Sequence, residues 1–221
     1  RHSGSHLAGV CGVSTAVGEP NGYCWGVDSY GLIGSASTGN NFTVTPGEPL
    51  AGIEWKTIEG GYLHNCGIDI HDDLYCWGYN GNGQVGDGTT TNREVPTLVS
   101  GGHKWAQVDI GNDHSCGLRL DGAVMCWGIN NYGQLGDGTT TAHRVPAEVA
   151  GGGRYAQVTV GQLHSCALTH DGIGYCWGYD GTYELGNDTA LVSQYVPTRV
   201  FGDYRFRIID AGVRETVAVP R

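Results

Sequence analysis

The sequence predicts an all-β protein built of short antiparallel sheets of the β-propeller kind, and three observations carry that prediction. The stretch His114–Thr141, HSCGLRLDGAVMCWGINNYGQLGDGTTT, returns at residues 64–91 as HNCGIDIHDDLYCWGYNGNGQVGDGTTT and at residues 164–189 as HSCALTHDGIGYCWGYDGTYELGNDT, with matching glycines 50 residues apart at Gly61, Gly111 and Gly161. A fixed period of this size belongs to an array or a propeller. Glycine numbers 39 in 221 residues while charged residues make up 15%. That composition suits tight turns rather than helices, in which each interior glycine costs about 1 kcal/mol relative to alanine. Finally, the eight cysteines fall into four pairs, three of them with a spacing of ten.

The copies divide the chain into a single propeller portion over residues 1–221, with repeats at approximately 1–54, 55–104, 105–154 and 155–204 and a partial repeat at 205–221. The first copy is degenerate: it keeps Cys11, Cys24-Trp25-Gly26 and Tyr30-Gly31-Leu32-Ile33-Gly34, but its turn has swollen to Gly18-Glu19-Pro20-Asn21-Gly22 and its first strand is missing. The next three open with WKTIEGG at Trp55, WAQVDIG at Trp105 and YAQVTVG at Tyr155, where apolar residues alternate until a glycine. Such alternation predicts a half-buried strand. A second strand carries His-x-Cys into an Asp-Gly turn and a third carries Cys-Trp-Gly. A fourth bears proline, in REVPTLV, HRVPAEV and QYVPTRV; proline donates nothing to a ladder, so this strand is expected at a sheet edge. Residues 205–221 repeat the first strand and then replace His and Cys by Glu215 and Val217. Four near-complete four-stranded blades plus the start of a fifth are thus expected.

A three-residue turn centred on Asp121 sets Cys116 opposite Cys126, each five residues from the centre. Directly opposed positions lie within disulfide range. The reading extends to Cys66 with Cys76, Cys166 with Cys176, and Cys11 with Cys24, each small loop contributing about 2–3 kcal/mol. The rival reading is a metal site from His64, Cys66 and Cys76, but it lacks a fourth ligand and a Cys-x-x-Cys knuckle. Paired cysteines imply an oxidising compartment. Together with a chain that begins at Arg1 and shows no signal-type blocks, they lead to the expectation of a mature or excised product that is secreted or extracellular, periplasm and cell surface included. Asn41 and Asn187 stand in N-x-S/T sequons and are glycosylation candidates.

A net charge of −10 and a pI near 5.2 leave no basic stripe for nucleic acid, and no apolar run is long enough to insert in a membrane. No metal or other cofactor is implied. His64, His114 and His164 recur in register with no nucleophile beside them, so each is read as a strand-end histidine bonded to its neighbour's backbone. Asp87 and Asp137 are read as caps of their own turns rather than as calcium ligands. The glycine runs lack the strand-to-helix step and the Lys-Ser/Thr of a phosphate cradle. Trp25, Trp77, Trp127 and Trp177 repeat with the blade, as Trp105 and Tyr155 do, and are assigned to packing between blades. No catalytic residue is identified and an enzyme is not expected. The copies differ between Trp-Gly and the next glycine turn. There Asp28, Tyr30, Tyr79, Asn80, Asn130, Tyr132, Tyr179, Asp180 and Tyr183 are the candidate binding residues on one rim.

The recurring G-x-x-H-S-C-x-L, D-G, C-W-G and G-Q-L-G-D-G-T segments resemble the repeat of the RCC1 (regulator of chromosome condensation) propeller family, from Gly9 to about Gly212. The cysteine-bearing version is similar to secreted bacterial members and to ectodomains of the plant Crinkly4-type receptor kinases. The resemblance implies a ring of seven blades, of which this chain supplies four, so the portion is expected to belong to a longer chain, to be completed by another chain, or to close by itself. A binding module for another macromolecule is the expected function, with a protein, self or other, as partner and a glycan as the alternative. A structural subunit of an extracellular assembly and a propeller-type enzyme inhibitor are the competing readings. Guanine-nucleotide exchange, known in one branch of the family, is disfavoured by the paired cysteines.

Overall fold

The computed structural model describes residues 10–14, 21–34, 42–43, 52–188 and 192–221. Asn41 of the first sequon lies outside them. Among the described residues the regular elements are strands, apart from one 3-10 turn at Ser29–Gly31. The first sheet holds β1 (Val10–Val13), β2 (Gly22–Val27) and β3 (Phe42–Thr43). The second runs in order through β4 (Trp55–Gly60), β5 (His64–Asp69), β6 (Leu74–Gly78) and β7 (Arg93–Leu98). The third repeats it with β8 (Trp105–Ile110), β9 (His114–Arg119), β10 (Val124–Gly128) and β11 (His143–Glu148). The fourth uses β12 (Gln157–Val160), β13 (His164–Leu168), β14 (Gly174–Gly178) and β15 (Gln194–Arg199), and a two-stranded sheet follows from β16 (Phe206–Ala211) and β17 (Thr216–Pro220). The fold is all-β with propeller-like blades. As proline requires, β7, β11 and β15 lie at sheet edges.

Register fixes the staples. Cys66 faces Cys76, Cys116 faces Cys126, Cys166 faces Cys176 and Cys11 faces Cys24, and all four pairs are disulfides with Cα atoms 4.1 Å apart. With every cysteine so committed, the zinc alternative loses its ligands.

The core lies between sheets rather than within one, because each strand pair offers one apolar face to the next blade. Ile68, Leu74 and Val85 of the second blade pack on Trp105, Val108 and Trp127 of the third, and Leu118, Val124 and Leu135 of the third on Tyr155, Val158 and Trp177 of the fourth. The tryptophan reaches across because the ladder shifts register beside it. Cys126 pairs with Ala147 but Gly128 with His143, a bulge that turns the intervening side chain towards the neighbour. Gly128 must be glycine: its φ is 104°, and a Cβ there would sit 2.8 Å from the Cα of His114. Size is also matched within each blade. Gly117 lies against the ring of Trp105, and where the ring shrinks to Tyr155 the matching residue grows to Ala167.

Polar clasps join the blades. The Gln107 side chain brackets the backbone of Val158, donating to its carbonyl at 2.8 Å and accepting from its N–H at 3.1 Å, and Gln157 does the same to Ile209 at 2.7 and 3.2 Å. Each turn glycine at a loop end receives the next blade's outer strand: a Cβ on Gly83 would meet the Cα of Arg144 at 2.9 Å, and one on Gly133 the Cα of Tyr195 at 2.9 Å.

Candidate functional site

The rim loops follow each Cys-Trp-Gly, and their shape is set from inside. Asp28, Asn80, Asn130 and Asp180 are buried. Each accepts the N–H of the residue five further on, Ile33 at 2.9 Å, Val85 at 3.0 Å, Leu135 at 3.0 Å and Leu185 at 3.1 Å. Asn80 also donates to the carbonyls of Thr89 and Thr91, at 3.2 and 3.0 Å, and Asn130 to those of Thr139 and Thr141, at 3.1 and 3.0 Å. These four buried side chains organise the loop from inside. In the fourth copy the acid sits at Asp180 and burial pushes its carboxyl upward, the nearby Glu184 adding to the rise.

The tyrosines stand outside. Tyr30, Tyr132 and Tyr183 are 48%, 40% and 65% exposed, and two pairs form across blade boundaries: Tyr30 with Tyr79 at 5.1 Å and Tyr132 with Tyr179 at 5.0 Å between ring centroids. Both distances fall in the range of tilted aromatic pairing. Tyr183 takes a φ of 67° at the position held by Gly31, Gly83 and Gly133 in the other copies.

Behind the loops, Asp87 accepts from the Thr89 N–H at 2.9 Å and pairs with Arg93, while Asp137 accepts from the Thr139 N–H at 2.9 Å and pairs with His143 at 2.7 Å. The turn-cap reading is the observed one. Burial works to raise both carboxyls, but the bonds from Thr89 and Arg93, and from Thr139, His143 and Asn130, prevail and hold them below the ordinary carboxylate range. Where the fourth copy has the half-buried Asn187, the base is replaced too, by Gln194.

The register histidines reach the next blade as expected, and in addition meet a hydroxyl there: His64 Nε2 lies 2.8 Å from Ser115 Oγ, His114 Nε2 3.0 Å from Ser165 Oγ and His164 Nε2 3.0 Å from Thr216 Oγ1, while His114 also bonds the backbone of His164. Each hydroxyl donates in turn to a carbonyl of the preceding blade, Gln84 at 3.0 Å, Gln134 at 3.0 Å and Glu184 at 2.8 Å. A hydroxyl that spends its proton this way accepts from Nε2–H, which fixes the imidazole tautomer. Burial pushes the pKa of His64 and His114 down to about 3 and that of His164 to about 4. These neutral rings are joints between blades. Sequence periodicity exposed the histidines; their Ser and Thr partners, 51 or 52 residues away, carried no signal of their own.

One opening of about 210 Å³ lies on the rim, lined by Tyr132, Tyr179, Leu163, His164, Glu184 and Arg214 among others. Its floor shows a substitution between copies. Gln84 Nε2 reaches Asp113 Oδ1 at 3.4 Å, but Leu163 replaces that aspartate in the next blade and Gln134 Nε2 is left buried with no partner. Leu163→Asn should restore an acceptor and raise the unfolding free energy by about 1 kcal/mol. Urea unfolding of the two proteins measures it.

Among the described residues no group of three or more His, Cys, Asp or Glu is placed to hold a metal, and no helix is long and apolar enough to cross a membrane. The repeated rim offers packing surfaces, hydroxyls and amides.

Comparison with known proteins agrees with the geometry. The family models for the regulator of chromosome condensation (RCC1) repeat match residues 71–118 and 121–168, and residues 55–84 and 105–134, which together span about half of the chain. The Saccharomyces cerevisiae Prp20p structure, described with its binding to Gsp1p and histones, superposes with a TM-score of 0.74 at 21% identity, covering 90% of this chain and 52% of that one. The structure of Kap60 bound to yeast RCC1 (Prp20) gives 0.79 at 22% identity over 90% and 50%. The ultraviolet-B receptor UVR8 of Arabidopsis thaliana is 34% identical over 77 residues, 35% of this chain and 18% of that protein. This chain thus spans about half of those solved chains and under a fifth of that receptor.

These matches correct the expected secreted, extracellular or periplasmic location: the Prp20 proteins that share the fold are nuclear and cytoplasmic. The inference from cysteine failed for a physical reason. Strand register alone places the paired sulfurs, and six of the eight cysteines, Cys66, Cys76, Cys116, Cys126, Cys166 and Cys176, are 0% exposed. Access governs thiol–disulfide exchange, so a fully covered pair reports the fold and not the compartment. By repeat, register and family model alike, the chain belongs to the RCC1 repeat family.

Proposed function

We propose that this chain is an interaction scaffold that binds a protein partner through its tyrosine-bearing rim. The observation that carries the reading is the division of labour in the loops, in which Asp28, Asn80, Asn130 and Asp180 lock the backbone while Tyr30, Tyr79, Tyr132 and Tyr179 form two pairs at the surface. Tyrosines held on rigid turns bury area on binding at low entropic cost. Protein ligands of Prp20p support the same class of partner for this fold, and the net charge of −10 favours one with a basic face.

Immobilised chain should retain a defined protein from extract of its source, and Tyr132→Ala with Tyr179→Ala should weaken that retention by about tenfold or more, as loss of an aromatic anchor does. The exposed but remote Leu120→Ala should leave it unchanged. Equal retention by all three proteins would overturn the rim assignment, and retention on a glycan array in place of protein would overturn the partner class.

A further inference from the structure

In the second and third blades the rim loop is tied from behind to the outer strand of its own blade by an acid and a base, and the base differs. Asp87 Oδ2 accepts from Arg93 Nε at 2.6 Å, whereas Asp137 Oδ2 lies 2.7 Å from His143 Nε2. In the fourth blade Asn187 and Gln194 hold the two positions, and the Gln194 amide donates to the Val192 carbonyl at 3.0 Å. The two ionic bridges are otherwise built alike. Both bases are 33% exposed in their side chains, and the carboxylates are nearly covered, at 5% and 11%. Each carboxylate takes the threonine N–H two residues on at 2.9 Å, and Asn80 and Asn130 donate to Oδ1 at 3.2 Å. One support is missing from the third loop. Asn92 Oδ1 accepts the Asn80 N–H at 2.9 Å, and Ala142 stands where that asparagine would be, so the third loop depends more on its bridge.

Arginine stays a cation at any pH a folded protein meets, while histidine changes its charge between about pH 5 and 8. An imidazolium on a carboxylate makes a bond roughly twice as strong as a neutral one. Both carboxylates stay ionised over that range: burial pushes them up, but the bonds from Thr89 and Arg93, and from Thr139 and His143, hold them below ordinary values. The elements packed on the third bridge bring no second group that titrates there. Loop 129–142 adds Tyr132, and β10 adds no ionisable side chain. On β11, Arg144 follows His143 and so points to the opposite face, and Glu148 lies at the far end beside Arg154. The next blade's β15, whose Tyr195 carbonyl accepts the Gly138 N–H at 2.8 Å, adds Tyr195 and Arg199. The preceding loop, whose Gly88 N–H donates to the Arg144 carbonyl at 2.9 Å, adds Tyr79 and Asp87, the latter already held by Arg93.

We infer that Asp137 and His143 form a proton-operated latch, which holds the third rim loop firmly while His143 is protonated and loosens it when that proton leaves, whereas Arg93 keeps the second loop latched throughout. The path to the rim is short. Asp137 Oδ1 accepts from Asn130, and Asn130 in turn accepts the Leu135 N–H at 3.0 Å and donates to the carbonyls of Thr139 and Thr141. That loop carries Tyr132 and so one half of the Tyr132–Tyr179 pair, while the Tyr79 loop of the other pair is held by Arg93. The sign is opposite to that of the buried histidines. Their neutral rings stabilise the fold less as the pH falls, but the latch is strongest on the acid side of histidine titration and weakens as the pH rises through it. One rim, two tyrosine pairs and a single titrating base make the third loop the pH-sensitive part of the surface.

The two loops supply their own comparison. Opening of each is read from one buried amide, Val85 N–H in the second blade and Leu135 N–H in the third, both donating to the loop asparagine at 3.0 Å. Hydrogen exchange of the two is followed by NMR in the same chain between about pH 5.5 and pH 8, the range over which histidine changes charge. Taking the ratio of their protection factors cancels the intrinsic pH dependence of exchange and any global unfolding, which raise both alike. The Leu135-to-Val85 ratio should fall by about two- to fivefold as the pH rises, the effect of one partly exposed ion pair. His143→Arg should keep the ratio at its acid value throughout, and His143→Gln should keep it at or below its alkaline value. Arg93→His should make the Val85 amide lose protection with rising pH as Leu135 does. A ratio independent of pH in the natural chain would overturn the latch, and so would a fall that persists in His143→Arg.

Discussion

Trp127→Ala is expected to lower the unfolding free energy by about 3–5 kcal/mol, the range for truncating a buried aromatic residue. Trp127 is 0% exposed and its indole N–H donates to the Gln84 carbonyl at 2.8 Å. Its loss opens a cavity at the boundary between two blades, where each contact serves both sides. In a quasi-one-dimensional array, stability is the sum of blade terms and junction terms, so one broken junction should uncouple the blades before and after it. Calorimetry should then show a lower and broader transition than the parent's single one. Trp25 is the internal control. It occupies the same place in its module but is only half-buried, and Trp25→Ala should cost less than half as much. Equal costs would show that the indole stabilises its own blade and not the joint.

The second large effect is acid destabilisation by the three joint histidines. An unfolded histidine titrates near 6.5, whereas burial holds His64 and His114 at about 3 and His164 at about 4. Above pH 6.5 neither state is protonated and their contribution is complete. As the pH falls below it the unfolded chain takes up three protons that the native state refuses, so stability declines. With all three engaged the slope is about 4 kcal/mol per pH unit, measurable as urea midpoints between pH 7 and pH 4.5. His114→Gln removes one proton of the three and should reduce the slope by about a third. An unchanged slope would place the acid response elsewhere. Nearer pH 4 the carboxylates of Asp87 and Asp137, held below their ordinary range, begin to add their own loss of stability.

Much of this architecture was legible because a repeat repeats its physics. Period-two alternation located the strands, proline marked the outer edge, and the turn at Asp121 set Cys116 against Cys126. The rim was legible only in part. Tyrosine and asparagine in the variable insert look alike as polar loop residues, yet Asn80 and Asn130 turn inward to hold the backbone while Tyr132 and Tyr179 meet at the surface. Which of two polar side chains is buried depends on donors around it, here Val85 and Leu135 N–H, and no local pattern reports that. Cysteine pairing was legible and its supposed meaning for compartment was not, since proximity comes from register and protection from burial.

By itself the sequence determined the all-β class, the repeated antiparallel sheets, the four disulfides and the structural place of the recurring His, Cys, Trp and Gly. All of these rest on short-range spacing, which strand geometry converts directly into position. Only the tertiary structure decided which residues join across blades: His114 with Ser165, Gln107 with Val158, Tyr132 with Tyr179. Those partners lie 47 to 51 residues apart, and their meeting depends on how one twisted sheet stacks on the next. The same stacking holds Tyr183 in a glycine's conformation.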